Sequence, residues 1–285
     1  MNKKRIAIAI PASVVSDTPH LREKTSKIGF IGRAAAIFRI EEIIVYSDNL
    51  HVNQSVDMDL VATLLAYMET PQYLRKKLFR LRPELQYAGI LPPLRTRHHP
   101  LNRRAKDLKL GEHREGITLP TSKEGTLIDI GVEQPALLPK EKLIANKRVT
   151  VKVVSTKLPR VFVELVDRTQ ITDYWGYLVT AEKQPLGQII TQRGFDLIIA
   201  TSRLGTPLKG VAEEIGERWQ KAKSILVAFG SPSQGLHEIV RHEGLKLEEM
   251  ADFTVNMIPL QGTETVRTEE ALMATLAIFN MYFPL

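Results

Sequence analysis

The chain has 285 residues, 44% of them hydrophobic and 25% charged, with a formal net charge of +7 and no cysteine. This is the composition of an ordinary globular protein, and it excludes disulfides, thiolate catalysis and cysteine-ligated zinc or iron–sulfur sites. No apolar run approaches the roughly 20 residues that span a bilayer. Lys3-Lys4-Arg5 precedes an apolar stretch, but Ile6 to Ile10 is too short for a signal-peptide core and Pro11 ends it. The expectation is a cytoplasmic protein.

In chain order, residues 4–10 read as a strand. Residues 21–39 read as a helix with Ile28, Ile31, Ala35 and Phe38 on one face, and Arg33 lies on that otherwise apolar face. Ile43 to Tyr46 is the next strand, Val56 to Met68 a helix, and Pro71 opens a second helix carrying Arg75, Lys76, Lys77, Arg80 and Arg82. This β-α-β-α order predicts a parallel sheet. The pattern breaks at Gly89 to Pro100, which has several prolines and no helical period. Short strands follow at Gly116–Leu119, Thr126–Ile130, Ala136–Leu138, Arg148–Val154 and Val161–Val166, separated by turn residues including Gly125, Gly131, Pro139 and Pro159. They predict a small β-barrel interrupting an α/β domain. The expected limits are 89–169 for the insert, and 1–88 with 170–285 for the α/β domain. Trp175, just beyond the insert, reads as interdomain packing.

Residues 89–169 hold 16 Lys and Arg against 9 Asp and Glu, so the entire excess of +7 sits in this block. A localised basic excess points to a polyanion, with nucleic acid as the default. Arg75, Lys76, Arg95, Arg97, Arg103, Arg104 and Lys106 are the candidate contacts. Phe162 is the single aromatic residue of the block, so contacts to the nucleic-acid backbone are expected rather than base stacking. His98 and His99 are adjacent and have no evident third partner, which does not make a tetrahedral metal set; no metal site is expected.

After Tyr174 to Val179 the alternation resumes. Phe195 to Ala200 and Ser224 to Phe229 read as buried strands, followed by the polar loops Thr201 to Leu208 and Gly230 to Leu236. A third apolar strand runs into Asn256-Met-Ile-Pro-Leu-Gln-Gly-Thr-Glu-Thr-Val-Arg-Thr-Glu-Glu270, then into a helix with Leu272, Thr275, Leu276 and Phe279 at helical spacing. Thr263 or Thr265 is the expected cap of that helix, with Glu269 and Glu270 in its first turns. Three strand-ending loops of this kind line a ligand crevice in an open α/β sheet. There is no GxGxxG and no GxxxxGK[ST], so the crevice is not built for a pyrophosphate. Gly230, Gly235 and Gly262 stand where backbone must approach a ligand.

These three loops resemble the AdoMet-binding motifs of the SPOUT class of trefoil-knotted RNA methyltransferases, closest to the archaeal/eukaryotic branch with an OB-like insertion. Ile28-Gly-Phe-Ile-Gly-Arg-Ala-Ala-Ala-Ile-Phe-Arg-Ile40, followed by Ile43 to Tyr46, resembles the motif-one helix of SPOUT ribose methyltransferases, which carry an arginine where Arg33 sits; their asparagine falls at Lys27. Arg267-Thr268-Glu269 instead resembles the Arg-Thr-Glu of the bacterial rRNA uridine-N3 branch. The resemblance covers nearly the whole chain.

The resemblance implies a knotted parallel sheet flanked by helices, a homodimer, an RNA substrate and S-adenosylmethionine. It places adenine and ribose on the backbone of Phe229, Gly230, Ser231, Ile258, Leu260 and Gly262. Thr201 and Ser202 close the pocket, and Gly235 and Leu236 lie beneath. Arg203, Asn256, Pro259, Gln261, Thr265, Val266 and Thr268 complete the implied cofactor-binding set. Arg33, Arg267 and Glu269 are the implied catalytic residues, with Arg267 holding the uridine or its phosphate and Glu269 orienting Arg267 or helping to remove a proton. Leu276 to Leu285, with Phe279, Tyr282 and Phe283, is the expected dimer surface. The alternatives are a non-catalytic RNA-binding or ribosome-assembly factor of the same fold, ribose 2′-O methylation, and a nucleotide-dependent enzyme of the doubly wound type.

Overall fold

The computed structural model describes residues 4–157 and 160–283. Pro159 and residues 284–285 of the C-terminal run lie outside them, as does Lys3. The elements in chain order are β1 (Arg5–Pro11), α1 (Leu21–Ile37), β2 (Glu42–Ser47), α2 (Ser55–Glu69), α3 (Gln72–Leu78), β3 (His113–Thr121), β4 (Gly125–Asp129), β5 (Ala136–Pro139), β6 (Arg148–Ser155), β7 (Phe162–Leu165), β8 (Leu178–Pro185), α4 (Leu186–Arg193), β9 (Leu197–Pro207), α5 (Leu208–Lys221), β10 (Ser224–Ala228), α6 (Leu236–His242), α7 (Leu247–Met250), β11 (Phe253–Asn256) and α8 (Thr268–Tyr282).

Two compact units result. The first comprises residues 1–68, 84–93 and 177–285, the second residues 69–83 and 94–176. These limits differ from the sequence expectation at both ends of the insert. Residues 84–93 stay with the first unit because α1 has a glycine there: a Cβ on Gly29 would stand 2.9 Å from Pro92 Cδ. α3 goes to the second unit because its Tyr73 OH donates to the Glu115 carbonyl at 2.7 Å. With these limits the second unit holds 21 Lys and Arg against 11 Asp and Glu, and the first 18 against 21.

The first unit is a six-stranded sheet in the order β11-β9-β10-β1-β2-β8, every neighbouring pair parallel. Its central strands are apolar throughout, as a sheet covered on both faces requires. Ala7 and Ala9 of β1 face a core built with α4, α6 and α7 through Leu186, Ile189, Leu236, Ile239 and Leu247. Alternation turns Ile6, Ile8 and Ile10, all buried, to the other face. Trp219 of α5 packs on Phe279 and Phe283 at ring separations of 5.5 and 5.3 Å. Phe279 and Phe283, assigned from sequence to a dimer surface, are therefore spent inside the chain, whereas Met281 and Tyr282 are exposed.

The second unit is a closed barrel in the order β3-β4-β5-β7-β6, with β3 paired to β6 and β5 parallel to β7. Ile128, Ile130, Leu138, Val151, Val153 and Val163 fill it. The closed five-strand order is that of an OB-like barrel.

Within this unit Glu69 is an electrostatic hub. Arg148 Nη1 reaches Glu69 Oε2 at 2.6 Å and Arg168 Nη2 reaches Oε1 at 3.1 Å. His98 Nε2 and His99 Nε2 both lie within hydrogen-bond distance of the Glu69 carbonyl, at 2.8 and 2.7 Å. The two histidines are thus tied to the Glu69 backbone. Trp175 likewise sits inside this unit, its Nε1 donating to Glu115 Oε1 at 2.6 Å.

Candidate active site

Sheet register builds the site. β9 does not stop at Ala200 as its apolar run suggests. Ala200 lies opposite Thr254 of β11, and the next aligned pair is Thr206 opposite Val255. Residues 201–205 are therefore looped out of register. Gly205 allows this, since a Cβ there would lie 2.6 Å from the Thr254 carbonyl oxygen. The bulge turns Thr201, Ser202, Arg203 and Leu204 into the wall of a cavity of about 410 Å³.

The segment after β10 forms a second wall with Phe229, Gly230, Ser231 and Gly235. Gly230 is tightly packed: a Cβ would stand 3.0 Å from the Gln234 carbonyl oxygen and 3.2 Å from the Leu236 nitrogen, so both would have to give. Gly235 and Gly262 are not, because a Cβ on either meets nothing within 4 Å. The segment after β11 supplies the third wall through Asn256, Ile258, Gln261, Thr265, Val266 and Thr268. Asn256 staples it, its Nδ2 donating to the Arg203 carbonyl at 2.9 Å and its Oδ1 accepting from the Ile258 N–H at 3.0 Å. Arg203 Nη1 donates to the Glu264 carbonyl at 2.7 Å.

Four residues of the implied cofactor-binding set do not line this cavity. Leu236 is fully buried in the core under α6. Pro259, Leu260 and Gly262 are exposed and do not line the cavity; Leu260 has φ +59°, which throws this turn outward. Several lining residues escaped the sequence reading, among them Gln234, His237, Glu238, Met257 and Thr275. His237 has no local signature because its partner is on another helix, Glu248 of α7, 3.3 Å from Nδ1.

α8 begins at Thr268 rather than after Thr263 or Thr265. Arg267 is its N-cap, and the Glu270 carboxylate accepts the Arg267 N–H at 3.0 Å. Thr268 faces the cavity, while the Arg267 side chain is exposed and outside the cavity lining. Glu269 turns the opposite way. It is buried, and its Oε2 lies 3.3 Å from Nζ of Lys27 on α1. Lys27 also donates to both Asp17 oxygens, at 2.7 and 2.9 Å. Partial burial alone would raise the Asp17 carboxyl, but the Lys27 hydrogen bond and charge outweigh it and hold it below its usual range. Glu269 is thus matched with Lys27 and not with Arg267. Arg33 is half-buried and donates to the Pro93 carbonyl at 3.2 Å.

Of the candidate RNA contacts, Arg75 donates through Nε to the Thr70 carbonyl at 2.9 Å. Lys76, Arg95, Arg97, Arg103, Arg104 and Lys106 are exposed. All seven belong to the barrel unit. Among the described residues no helix is long and apolar enough to cross a membrane.

Comparison with known proteins agrees with this architecture. The family model described as "Putative RNA methyltransferase" matches residues 5–279. An uncharacterized protein of Halobacterium salinarum is 36% identical, covering 96% of this chain and 98% of its own length. One from Haloarcula marismortui is 32% identical over 96% and 98% of the two chains. The mouse protein named 28S rRNA (uridine-N(3))-methyltransferase is 31% identical over 95% of this chain and 75% of its own. The match along almost the whole chain, over a parallel sheet with three loops closing one cavity and a separate basic barrel, places this protein in that family of RNA methyltransferases.

Proposed function

We propose that this protein transfers a methyl group from S-adenosylmethionine to N3 of a uridine in rRNA, in the cytoplasm. The observation that carries this reading is the convergence of three sequence-distant segments on one cavity of about 410 Å³. Small-molecule pockets run from roughly 300 to 1,000 Å³, mostly apolar with a few placed polar groups. Phe229, Met257 and Ile258 supply apolar surface here, and Ser202, Ser231 and Gln261 polar groups, a lining that fits an adenosine with a polar tail. The name of the mouse relative supports rRNA and uridine N3.

When bound, S-adenosylmethionine supplies an electrophilic methyl on a sulfonium. Uridine N3 is nucleophilic only after its proton has passed to solvent, so the site must stabilise the resulting anion. Arg267, exposed where α8 leaves the cavity wall, is the residue we assign to that charge. Its planar fork suits a uridine carbonyl edge. Glu269, buried against Lys27, is assigned a positioning role. Arg33 is assigned to an RNA phosphate. The barrel unit, with its excess of Lys and Arg, supplies RNA affinity. The family's knot and homodimer are part of the proposal; the order β11-β9-β10 and the exposed Met281 and Tyr282 support them.

The test is methylation of rRNA fragments by purified protein with labelled S-adenosylmethionine, followed by nucleoside mass spectrometry. 3-Methyluridine is the expected product. A 2′-O-methyl nucleoside, or no transfer with cofactor bound, overturns the reading.

A further inference from the structure

β10 ends at Ala228, and from there on the carbonyls leave the sheet ladder; those of Phe229 and Gly230, beyond the strand, need other donors. Three consecutive carbonyls find hydroxyls from three different elements. Thr201 Oγ1, in the β9 bulge, donates to the Ala228 oxygen at 2.9 Å. Tyr46 OH, at the end of β2, donates to the Phe229 oxygen at 2.8 Å. Thr268 Oγ1, at the start of α8, donates to the Gly230 oxygen at 3.0 Å. The Phe229 N–H is also spent, on the Ala9 carbonyl at 3.0 Å. The Gly230 N–H, in contrast, meets no acceptor among the described residues, and Gly230 lines the cavity.

We propose that Tyr46, Thr201 and Thr268 are positioning residues: a hydroxyl clamp that fixes residues 228–230 so that the Gly230 N–H is presented to the methyl donor. This rests on the cavity being the donor site. The donor must then offer an acceptor atom, such as an adenine ring nitrogen or a ribose oxygen, at this loop. The clamp also joins strands β2 and β9 to helix α8 through one loop. Tyr46 is the informative member. It is fully buried and does not line the cavity, so any effect of its hydroxyl on the donor passes through the Phe229 carbonyl.

The experiment is calorimetry with S-adenosylhomocysteine on the full chain, with steady-state kinetics and thermal melting. Stranding one buried carbonyl predicts about tenfold weaker binding for Tyr46→Phe, with the KM for S-adenosylmethionine raised in proportion. The kcat and the KM for RNA should stay within about twofold of wild type, a split that general loosening of the fold would not produce. Thr201→Ser and Thr268→Ser, which keep the oxygen, should bind near-normally; Thr201→Val and Thr268→Val should not. Wild-type affinity in Tyr46→Phe, or equal losses in the Ser and Val variants, overturns the clamp. If Tyr46→Phe fails to fold, the Ser and Val pairs still test whether the hydroxyls of Thr201 and Thr268 are needed, and equal losses in both overturn the clamp. Absence of binding by the wild-type chain overturns the donor-site assignment itself, and the clamp with it.

Discussion

Lys27 Nζ lies 2.7 Å from Asp17 Oδ1 and 3.3 Å from Glu269 Oε2, so one buried ammonium on α1 holds the first turn of α8. The neighbour of Glu269 in sequence, Thr268, is in the cavity wall. Lys27 itself does not line the cavity, so it acts on that wall only through the start of α8. Removing one member of a buried pair strands the others, at about 3 kcal/mol. Lys27→Met should lower unfolding stability by about that amount, and adding Glu269→Gln should restore part of it. Denaturant titration of the two variants and the double variant checks this; additive effects would mean that the pair is not coupled.

The role proposed for Arg267 predicts a separation of chemistry from binding. Its side chain is outside the cavity lining, so Arg267→Ala should leave S-adenosylhomocysteine affinity little changed while single-turnover methylation falls by about 10²-fold. Arg267→Lys should recover part, because a point charge does not replace a planar fork. A near-normal rate for Arg267→Ala would leave it as a helix cap.

The glycines are unequal. Gly230→Val should abolish cofactor binding by pushing on Gln234 and Leu236, whereas Gly235→Ala and Gly262→Ala should bind close to wild type, since their Cβ atoms enter open space. Calorimetry on the three variants decides it; equal losses would show that the cavity closes further around its ligand.

The barrel unit should lose stability in acid in two stages. Burial, with the adjacent His98 as a second cause, lowers His99 from its ordinary 6.5 to about 4, although its bond to Glu69 pulls the other way. A depressed histidine favours the neutral form in the folded state. Its contribution is intact above pH 6.5 and is lost as pH falls toward 4, on the order of 3 kcal/mol. Burial alone would raise the Glu69 carboxyl, but His98 and Arg148 outweigh it and hold it far below its ordinary 4.5. That contribution is complete above pH 4.5 and is lost progressively as pH falls below it, toward the depressed value at which Glu69 protonates in the folded chain. Melting temperatures against pH check both stages, and His99→Gln should flatten the first.

RNA affinity should track the barrel's charge. Neutralising Arg103, Arg104 and Lys106 together should weaken RNA binding and flatten its salt dependence, since the slope of affinity against salt counts neutralised phosphates. Cofactor affinity should not move. An unchanged slope would make this patch solvated surface.

The sequence by itself determined what depends on neighbours within a few turns. The alternation of β1, α1 and β2, the five barrel strands and the apolar runs of β9 and β10 are written in side-chain periodicity, and the position of the basic block in composition. The three loops were legible because strand-ending glycines and hydroxyls cluster in short windows. Tertiary structure decided what depends on sheet order and register. The β9 bulge exists because β11 pairs on both sides of residues 201–205, and nothing within β9 announces it. The outward turn at Leu260 follows from a positive φ on a residue type that does not signal one. The pairing of Lys27 with Glu269, and the meeting of Tyr46, Thr201 and Thr268 on three successive carbonyls, join residues far apart in sequence. Such contacts are fixed by the parallel crossovers that bring β2, β9 and α8 to the same end of the sheet, a property of the folded chain and of no window along it.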